Sequence, residues 1–368
     1  MSEIYDVAII GSGPSGAAAA HILAAKGMSV LLLEKGKDLL KRRDTINGWF
    51  GRALFGMHRV RLSDPALKNK KVFKEALVIV QKATRWKNIM SAKDYEEPPI
   101  ECGYELAAYF YNKVADKIDL KFDTEVLKVD RKKVITLKTN KGEFKTKRCV
   151  FATGRHSLPW LQGVCDDIGI IYKDIETQVG VRIEIPHRLA KKSIDAEENI
   201  ELDGVIGDDI GSRSFVSEWE EAGILSAQGC STPRNQTGQT SMMLGFQPNA
   251  TTEEVMRTVK IVNVLSNDKI RRERVKDFME RKSILEHIEM FGQLHEAFES
   301  INESIPSFIN CATMYIPEVR WNGILPVNAR MRATLKGIYG VGECSTRAST
   351  IIGAIASGLI VARTIIGE

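Results

Sequence analysis

The sequence predicts an α/β protein whose parallel sheet is assembled from separate parts of the chain, and three stretches carry this prediction. A strand, a glycine-rich turn, a helix and a second strand follow one another within residues 5–34. A buried strand at 149–152 ends in Thr153-Gly154, and a short strand at 337–341 precedes an apolar helix at 349–366. Strands that alternate with helices are typical of a parallel sheet covered by helices. The chain between them differs in texture, so we expect an inserted α+β domain.

The glycine-rich turn has the spacing of a dinucleotide-binding fingerprint. Gly11, Gly13 and Gly16 separate the apolar strand 5–10 from an alanine-rich helix, and Glu34 stands 18 residues after the last glycine. In this pattern the first glycine permits the turn, the second lets a pyrophosphate approach, and the third lets the helix pack on the strand. The helix N-terminus offers free N–H groups to phosphates, and the acid can accept hydrogen bonds from ribose hydroxyls. A Rossmann-like domain is therefore expected, and its predicted binding residues are Gly11, Ser12, Gly13, Pro14, Ser15, Gly16, Glu34 and Lys35.

Positive charge is concentrated in one block. Residues 41–93 hold 14 Lys and Arg but 3 acids, a net charge of +11, whereas the whole chain sums to +5. Clustered positive charge favours an anionic partner, with an ordinary solvated face as the alternative. The block lacks a clean period, so we expect loops with short strands and helices. Within it, Arg52 and Arg59 are candidate substrate contacts, and His58 is either an acid–base residue or a plain loop histidine.

The remaining elements follow in order. An amphipathic helix is predicted at 103–118, and β-type alternation at 126–129, 134–139 and 143–147 predicts three strands. A strand is expected at 179–185. Residues 195–250 show no pattern that we can assign, and 253–303 reads as two helices with a break near 266–268. The predicted domain limits are 1–175 and 320–368 for the dinucleotide-binding domain, which includes the basic block, and 176–319 for the inserted substrate or cap domain.

Several classes of protein are not expected. The apolar run Val7–Ile10 is far shorter than the ~20 residues of a membrane span, and the acidic N-terminus does not resemble a signal peptide. We therefore expect a cytoplasmic protein. The six cysteines are scattered singly without a Cys-x-x-Cys pair, and the six histidines have no metal-ligand spacing. No metal site and no dithiol redox centre are expected.

Three segments of the chain resemble the motifs of a known family. GSGPSGAAAAHILAAKGMSVLLLEK near the N-terminus, CVFATGR at 149–155 and GIYGVGECSTRASTIIGAIASGLIVART at 337–364 resemble the motifs of two-dinucleotide-domain flavoproteins. VGVRIEIP and ECGYELAAYFYNKV are similar to FAD-dependent dehydrogenases, a group close to geranylgeranyl-reductase-like flavoproteins. The resemblance implies FAD as the cofactor. It adds as cofactor-binding residues Val126, Ala152, Thr153, Gly154, Gly342, Glu343, Thr350, Ile351 and Ile352.

The chain departs from the family pattern in ways that bear on function. The usual Gly-Asp-Gly is Gly342-Glu343-Cys344, and Glu343 can still reach a ribityl hydroxyl. Arg347 follows, where small residues are usual; it could stabilise negative charge on a reduced flavin, or be a surface or structural arginine. No second glycine fingerprint appears, so electrons would come from the substrate, from transient NAD(P)H binding or from another protein.

These observations predict an FAD-dependent oxidoreductase, a dehydrogenase or reductase. It would transfer a hydride between an anionic substrate and flavin N5, with His58 and Arg347 as candidate catalytic residues. The candidate substrate contacts are Arg52, Arg59 and Arg182. One alternative is a flavoenzyme, oxidoreductase or lyase, that acts on a nucleic-acid-linked group such as a modified pyrimidine, with the nucleic acid bound through 41–93. Another is a non-catalytic protein that FAD stabilises. The sequence leaves open whether the protein has a separate electron donor or acceptor as a partner.

Overall fold

The structure is a computed structural model, and it describes residues 4–37, 65–84, 101–186, 188–189, 201–202, 205–208, 214–221, 223–231, 239–348 and 351–368. The described residues fall into two units. The first comprises 4–37, 65–84, 101–175 and 322–368, and the second lies within 176–321. The predicted limits, 175/176 and 319/320, lie at or within two residues of these. The roles assigned to the two units stay predictions.

The first unit contains two sheets and five helices, with elements numbered along the chain. Its strands are β1 (Ile4–Tyr5), β2 (Val7–Ile10), β3 (Val30–Leu33), β4 (Asp119–Lys121), β5 (Val126–Arg131), β6 (Ile135–Thr139), β7 (Gly142–Thr146), β8 (Cys149–Phe151) and β17 (Ile338–Gly340). Its helices are α1 (Pro14–Ala25), α2 (Lys70–Thr84), α3 (Glu101–Val114), α4 (Leu158–Ile168) and α9 (Ile351–Ile366). The five-stranded sheet has the order β17-β8-β2-β3-β4 with every neighbouring pair parallel. The second sheet has the order β1-β7-β6-β5.

Small residues bring α1 and α9 together on the main sheet. Ala17–Ala20 of α1 are fully buried, and α9 is apolar on nearly all sides and mostly buried. A Cβ atom at Gly358 of α9 would lie 2.2 Å from the carbonyl oxygen of Ser15, so the two backbones are in direct contact. Helix α2 packs on α9 and α3. This layer fixes the N-terminal ends of α1 and α9 relative to the strands.

The second unit is built on one mixed-length antiparallel sheet. Its strands are β9 (Thr177–Pro186), β10 (Glu201–Leu202), β11 (Val205–Asp208), β12 (Ser214–Glu221), β13 (Ile224–Ser231), β14 (Gln239–Phe246), β15 (Arg271–Arg274) and β16 (Thr313–Trp321). Its helices are α5 (Thr252–Leu265), α6 (Val275–Met279), α7 (Leu294–Ser304) and α8 (Phe308–Cys311). The sheet order is β10-β11-β14-β9-β16-β15, and β12 and β13 form a separate hairpin. The central strand β9 is almost entirely buried, as a strand covered on both faces should be.

Three stretches differ from the sequence predictions. The described part of the basic block contains a helix of 15 residues, α2, instead of short elements, because its apolar residues recur at helical spacing. Residues 195–250 supply five strands, β10–β14, where none was assigned. The stretch 253–303 contains α5, the strand β15, and then α6 and α7, although the chain does break at Asn267 and Asp268, which have positive φ. None of the helices in the described part of the chain is long and apolar enough to cross a membrane.

Candidate functional site

The loops that carry the sequence motifs meet at one edge of the parallel sheet. Strands β17, β8, β2 and β3 are adjacent and parallel, so the segments that follow them emerge at the same edge. Helix α1 connects β2 to β3 on one side, whereas residues 34–148 intervene before the chain reaches β8 on the other side. The strand order therefore reverses at β2. In open α/β sheets, ligands bind at the carboxyl ends of the strands at such a switch point.

The three glycines of the fingerprint serve different purposes. Gly11 has φ +100°, and a Cβ there would lie 2.4 Å from the carbonyl oxygen of Ala152. At Gly16 a Cβ would lie 2.1 Å from the carbonyl oxygen of Gly11. Close packing against the backbone is therefore sufficient to explain why both positions are glycine. Gly13 has an ordinary φ of −59°, and the nearest atom to an added Cβ is 3.9 Å away, so the protein itself does not require glycine there. Open space in front of a helix N-terminus is what a pyrophosphate needs, and the residues present fit FAD.

The N-terminus of α1 faces this space without a compensating side chain. Gly13 is the N-cap and has no side chain to cap the helix, Pro14 occupies the first turn, and the first turn contains no acid. The partial positive charge of the helix end and its N–H groups are thus left for an anion.

The buried carboxylate of Glu34 is hydrogen-bonded to the glycine-rich turn. Its side chain is 5% exposed; Oε2 accepts hydrogen bonds from the backbone N–H of Ser12 at 3.0 Å and from Ser12 Oγ at 2.6 Å, and Oε1 accepts from the N–H of Gly36 at 2.8 Å. The N–H of Thr124 donates to the carbonyl of Glu34, which places the start of β5, with buried Val126, beside this carboxylate. Lys35 is exposed.

The loops after β8 and β17 are tied to the same edge. The N–H of Ala152 donates to the carbonyl of Ile10 at 2.9 Å, and the N–H of Gly342 donates to Ser357 Oγ of α9 at 3.0 Å. Gly342 has φ +68°, and a Cβ there would lie 2.6 Å from Ser15 Oγ. Ala152, Thr153 and Gly342 therefore lie next to the glycine-rich turn. Gly154 follows Thr153, and Ile351 and Ile352 begin α9, the helix whose Ser357 accepts the hydrogen bond from Gly342. Thr350 lies outside the described residues.

An ion pair that the sequence did not predict joins these two loops. Arg155 follows the Ala-Thr-Gly segment, and its Nη1 lies 3.9 Å from Oε1 of Glu343, with both side chains partly exposed. A carboxylate expected at a ribityl hydroxyl is thus held by a cation from the neighbouring loop. In the sequence, this ion pair is indicated only by the presence of a charged residue in each of the two motifs, because Arg155 and Glu343 are far apart in the chain.

Cys344, beside Glu343, is a packing residue. Its Sγ donates to the carbonyl oxygens of Val341 at 3.1 Å and Phe151 at 3.3 Å. Burial raises the pKa of the Cys344 thiol to about 11, so it stays protonated near neutral pH. A protonated, buried thiol is a poor nucleophile.

Arg347 is the cation closest in sequence to the start of α9. It is half-buried, its backbone oxygen accepts a hydrogen bond from the N–H of Ala66 at 3.0 Å, and its Nε is buried without a hydrogen-bond partner among the described residues. A buried guanidinium N–H without a partner is costly unless a ligand or water completes it. This observation favours the ligand-binding interpretation of Arg347 over a purely structural ion pair.

The remaining candidates for the catalytic and substrate-binding roles are His58, Arg52, Arg59 and Arg182. His58, Arg52 and Arg59 lie outside the described residues. Arg182 needs a correction: it is 0% exposed on β9, and its Nε and Nη2 donate to the two carboxylate oxygens of Glu318 on β16 at 2.7 and 2.5 Å. Burial and this pairing make Arg182 a structural residue of the second unit in place of the predicted substrate contact. Within the described ranges, no three His, Cys, Asp or Glu side chains are grouped as a metal site requires.

A parallel sheet with a dinucleotide fingerprint at its switch point defines a dinucleotide-binding oxidoreductase fold. The family model for pyridine nucleotide-disulphide oxidoreductases matches residues 5–190, half of the chain, so the chain belongs to this family. The members of this family are oxidoreductases.

Similar proteins cover the chain to different extents. Digeranylgeranylglycerophospholipid reductase from Methanosarcina acetivorans is 51% identical over 39 residues, which is 11% of this chain and 10% of that protein. The chain thus matches about a tenth of this curated relative. Glycine oxidase from Geobacillus kaustophilus is 14% identical, with 100% of this chain and 96% of that chain covered and a TM-score of 0.47. L-proline dehydrogenase from P. horikoshii is also 14% identical, with 100% and 94% covered and a TM-score of 0.49.

Proposed function

We propose that this chain is an FAD-dependent oxidoreductase that transfers a hydride between an anionic substrate and N5 of FAD. The observation that carries the proposal is the unfilled space at Gly13, in front of the uncompensated N-terminus of α1. Bound FAD supplies the two-electron chemistry, and the chain supplies binding, orientation and electrostatics.

Each loop at the sheet edge has a role in this proposal. The N-terminus of α1 binds the pyrophosphate, and Glu34 accepts hydrogen bonds from the adenosine ribose. Glu343 accepts one from a ribityl hydroxyl, and its ion pair with Arg155 orients the carboxylate. Ala152, Thr153 and Gly154 line the cofactor on the side of β8. The N-terminus of α9, with Ile351 and Ile352, would face the pyrimidine edge of the flavin.

Arg347 is the proposed electrostatic residue for the redox step. It precedes the N-terminus of α9 by a few residues, and its buried Nε lacks a partner among the described residues. A positive charge there stabilises the negative charge that develops when the flavin is reduced. The same guanidinium can instead hold an anionic group of the substrate, and the test below separates these two roles.

Two measurements test the proposal. Cofactor released by heat from purified protein should have the mass of FAD, and FMN or no flavin after saturation would refute the proposal. In the loaded protein, Arg347→Gln should lower the flavin reduction potential. A charge worth about 1–2 kcal/mol corresponds to roughly 20–40 mV for a two-electron couple.

Two variants act as controls for the potential. Arg347→Lys keeps the charge and should restore most of the potential. Arg363→Gln, at the opposite end of α9 where Arg363 pairs with Glu75, should leave it unchanged. If Arg347→Gln leaves the reduction potential unchanged and raises the KM, Arg347 binds the substrate and does not act on the flavin.

A further inference from the structure

One helix of the first unit presents a largely basic surface, on which the exposed Val78 separates Lys74 from Lys82. Lys68 of the turn Pro65–Lys68 and four lysines of α2 are exposed, and we name these residues the lysine face: Lys68, Lys70, Lys71, Lys74 and Lys82. Among residues 65–84 the single acid is Glu75, and its carboxylate is engaged by Arg363 of α9. None of the carboxylates in the described part of the chain pairs with the five lysines. The positive charge is therefore uncompensated.

The charges of the lysine face oppose the helix that carries them. Lys70, Lys71 and Lys74 lie in the first turns of α2, where the partial positive charge of the helix end disfavours cations. Lys70 and Lys74 are also like charges at i,i+4, an unfavourable pair. The helix is held instead by its apolar residues, such as Val72, Leu77 and Val80, which are buried. The fold therefore does not need these lysines, and a partner of opposite charge would explain their arrangement.

The lysine face begins at the end of α9 that the proposed function assigns to the flavin. The N–H of Ala66 donates to the carbonyl of Arg347 at 3.0 Å, whereas Glu75 pairs with Arg363. Helix α2 thus runs beside α9 in the same direction. Lys68, Lys70 and Lys71 consequently lie at the end where α9 begins.

We propose that the lysine face is the docking surface for an acidic one-electron carrier protein that reduces the bound FAD. This inference rests on the proposed function, because it requires FAD at the sheet edge. The sequence contains no second glycine fingerprint for a nicotinamide cofactor, and another protein is one of the three electron sources that this leaves open. Two reduced carriers each lose one electron to FAD, and two protons from water complete its two-electron reduction. Hydride transfer to the substrate, with loss of one proton, restores the oxidised cofactor.

The chemistry of the face favours a protein over a nucleic acid. Its cations are all lysines, without the forked guanidinium groups that suit phosphates best. The one aromatic side chain described in this stretch, Phe73, is buried and cannot stack on a base. Lysines attract an acidic surface at long range and speed its encounter, as a transient redox complex requires.

The experiment is anaerobic stopped-flow reduction of the FAD-loaded full chain by a reduced [2Fe–2S] ferredoxin of strong negative charge. The variant is Lys70→Glu/Lys71→Glu/Lys74→Glu. Acids in the first turns of a helix are favourable, so α2 should be retained. The matched control is Lys132→Glu/Lys133→Glu, which reverses two exposed lysines in the turn between β5 and β6. Dithionite, a small reductant that needs no docking surface, reports whether the flavin site is intact.

We expect the second-order rate constant with ferredoxin at low salt to fall 10- to 100-fold in the triple variant. The rate for the unmodified chain should fall steeply with salt, whereas that of the variant should be nearly salt-independent. The control variant, and all dithionite rates, should be unchanged.

Other results would overturn the proposal in distinguishable ways. Two results with normal dithionite reduction would refute the docking surface and leave the proposed function intact. One is slow or absent reduction of the unmodified chain by ferredoxin, and the other is an equal rate in the triple variant. A chain that holds no reducible flavin removes the proposed function as well. If a 20-bp nucleic-acid duplex binds the unmodified chain but not the triple variant, and the ferredoxin rates are equal, the face binds nucleic acid and the carrier proposal is wrong.

Discussion

Substituting Gly13 should separate cofactor binding from folding. Gly13 has a φ of −59° and open space around the position of a Cβ atom, whereas Gly16 has the carbonyl oxygen of Gly11 at 2.1 Å from that position. We therefore expect Gly13→Ala to leave the apoprotein folded and to weaken FAD binding. We expect Gly16→Ala to damage the fold itself.

The magnitudes follow from these distances. At the N-cap, alanine is less favourable than glycine by up to about 1 kcal/mol, and the reduced freedom of the unfolded chain returns about 0.4–1 kcal/mol. The free energy of unfolding of Gly13→Ala should thus stay within about 1 kcal/mol of the unmodified chain. Gly16→Ala forces a methyl group against a backbone oxygen, an overpacking that costs about 1–3 kcal/mol or more.

A methyl group at Gly13 would occupy space that we assign to the pyrophosphate. An overpacking of about 1–3 kcal/mol in the complex alone corresponds to a dissociation constant about 5- to 150-fold higher. The bulkier Gly13→Val should abolish measurable binding. If binding weakens 100-fold, the stabilisation that a saturating FAD concentration confers should fall by as much as about 2.7 kcal/mol.

Two assays on the same preparations decide the matter. Urea unfolding of the apoproteins, followed by circular dichroism, gives the free energy of unfolding. Titration of each apoprotein with FAD, followed by flavin fluorescence, gives the dissociation constant. The reasoning fails if Gly13→Ala is destabilised as strongly as Gly16→Ala, or if its FAD affinity lies within twofold of that of the unmodified chain.

Two further substitutions test the surroundings of the site and the second unit. Glu34→Ala should weaken FAD binding about 10- to 150-fold through the loss of a charged acceptor worth about 1.5–3 kcal/mol; because Glu34 also accepts hydrogen bonds from Ser12 and Gly36, the apoprotein should lose about 1–3 kcal/mol as well. Titration and urea unfolding measure the two effects, and unchanged FAD affinity would show that Glu34 does not hold the ribose. Arg182→Met should cost up to about 3–5 kcal/mol in urea unfolding because buried Glu318 loses two charge-assisted hydrogen bonds and keeps the longer contact of its Oε1 with Arg320 Nε, at 3.4 Å. The double substitution Arg182→Met/Glu318→Leu should recover most of this loss, and a double variant as unstable as the single one would contradict the pairing argument.

The parts of the fold that sequence predicted are those whose signal is local. The β-α-β unit, the strand at 149–151 and the final helix each combine an apolar run with a glycine turn inside one window, and their chemistry does not depend on distant residues. The same holds for the break at Asn267 and Asp268, where short polar side chains accept positive φ. Helix α2 was not predicted: the basic block as a whole lacks a clean period, although positions 72, 73, 76, 77 and 80 within it are apolar at helical spacing.

The parts that sequence could not give depend on pairings between distant segments. The ion pair of Arg155 with Glu343 exists because β8 and β17 are neighbours, although 188 residues separate the two side chains. The prediction of Arg182 as a substrate contact was wrong because its side chain is buried. Its burial against Glu318 follows from the pairing of β9 with β16 and the irregularity between Tyr315 and Glu318, which no single segment encodes.

Residues whose identity is explained by packing can be distinguished from residues whose identity points to a ligand. Gly11 and Gly16 are accounted for by backbone contacts, Cys344 by two carbonyl acceptors, and Arg182 by a buried carboxylate, so none of these needs a ligand. Gly13 has no packing reason to be glycine, and the Nε of Arg347 has no acceptor among the described residues. The lysine face weakens the helix that carries it. Features that cost stability, or that packing does not require, persist when something outside the chain uses them. By this criterion we propose three ligands for the first unit: the dinucleotide, the charge on the flavin or substrate, and an acidic partner.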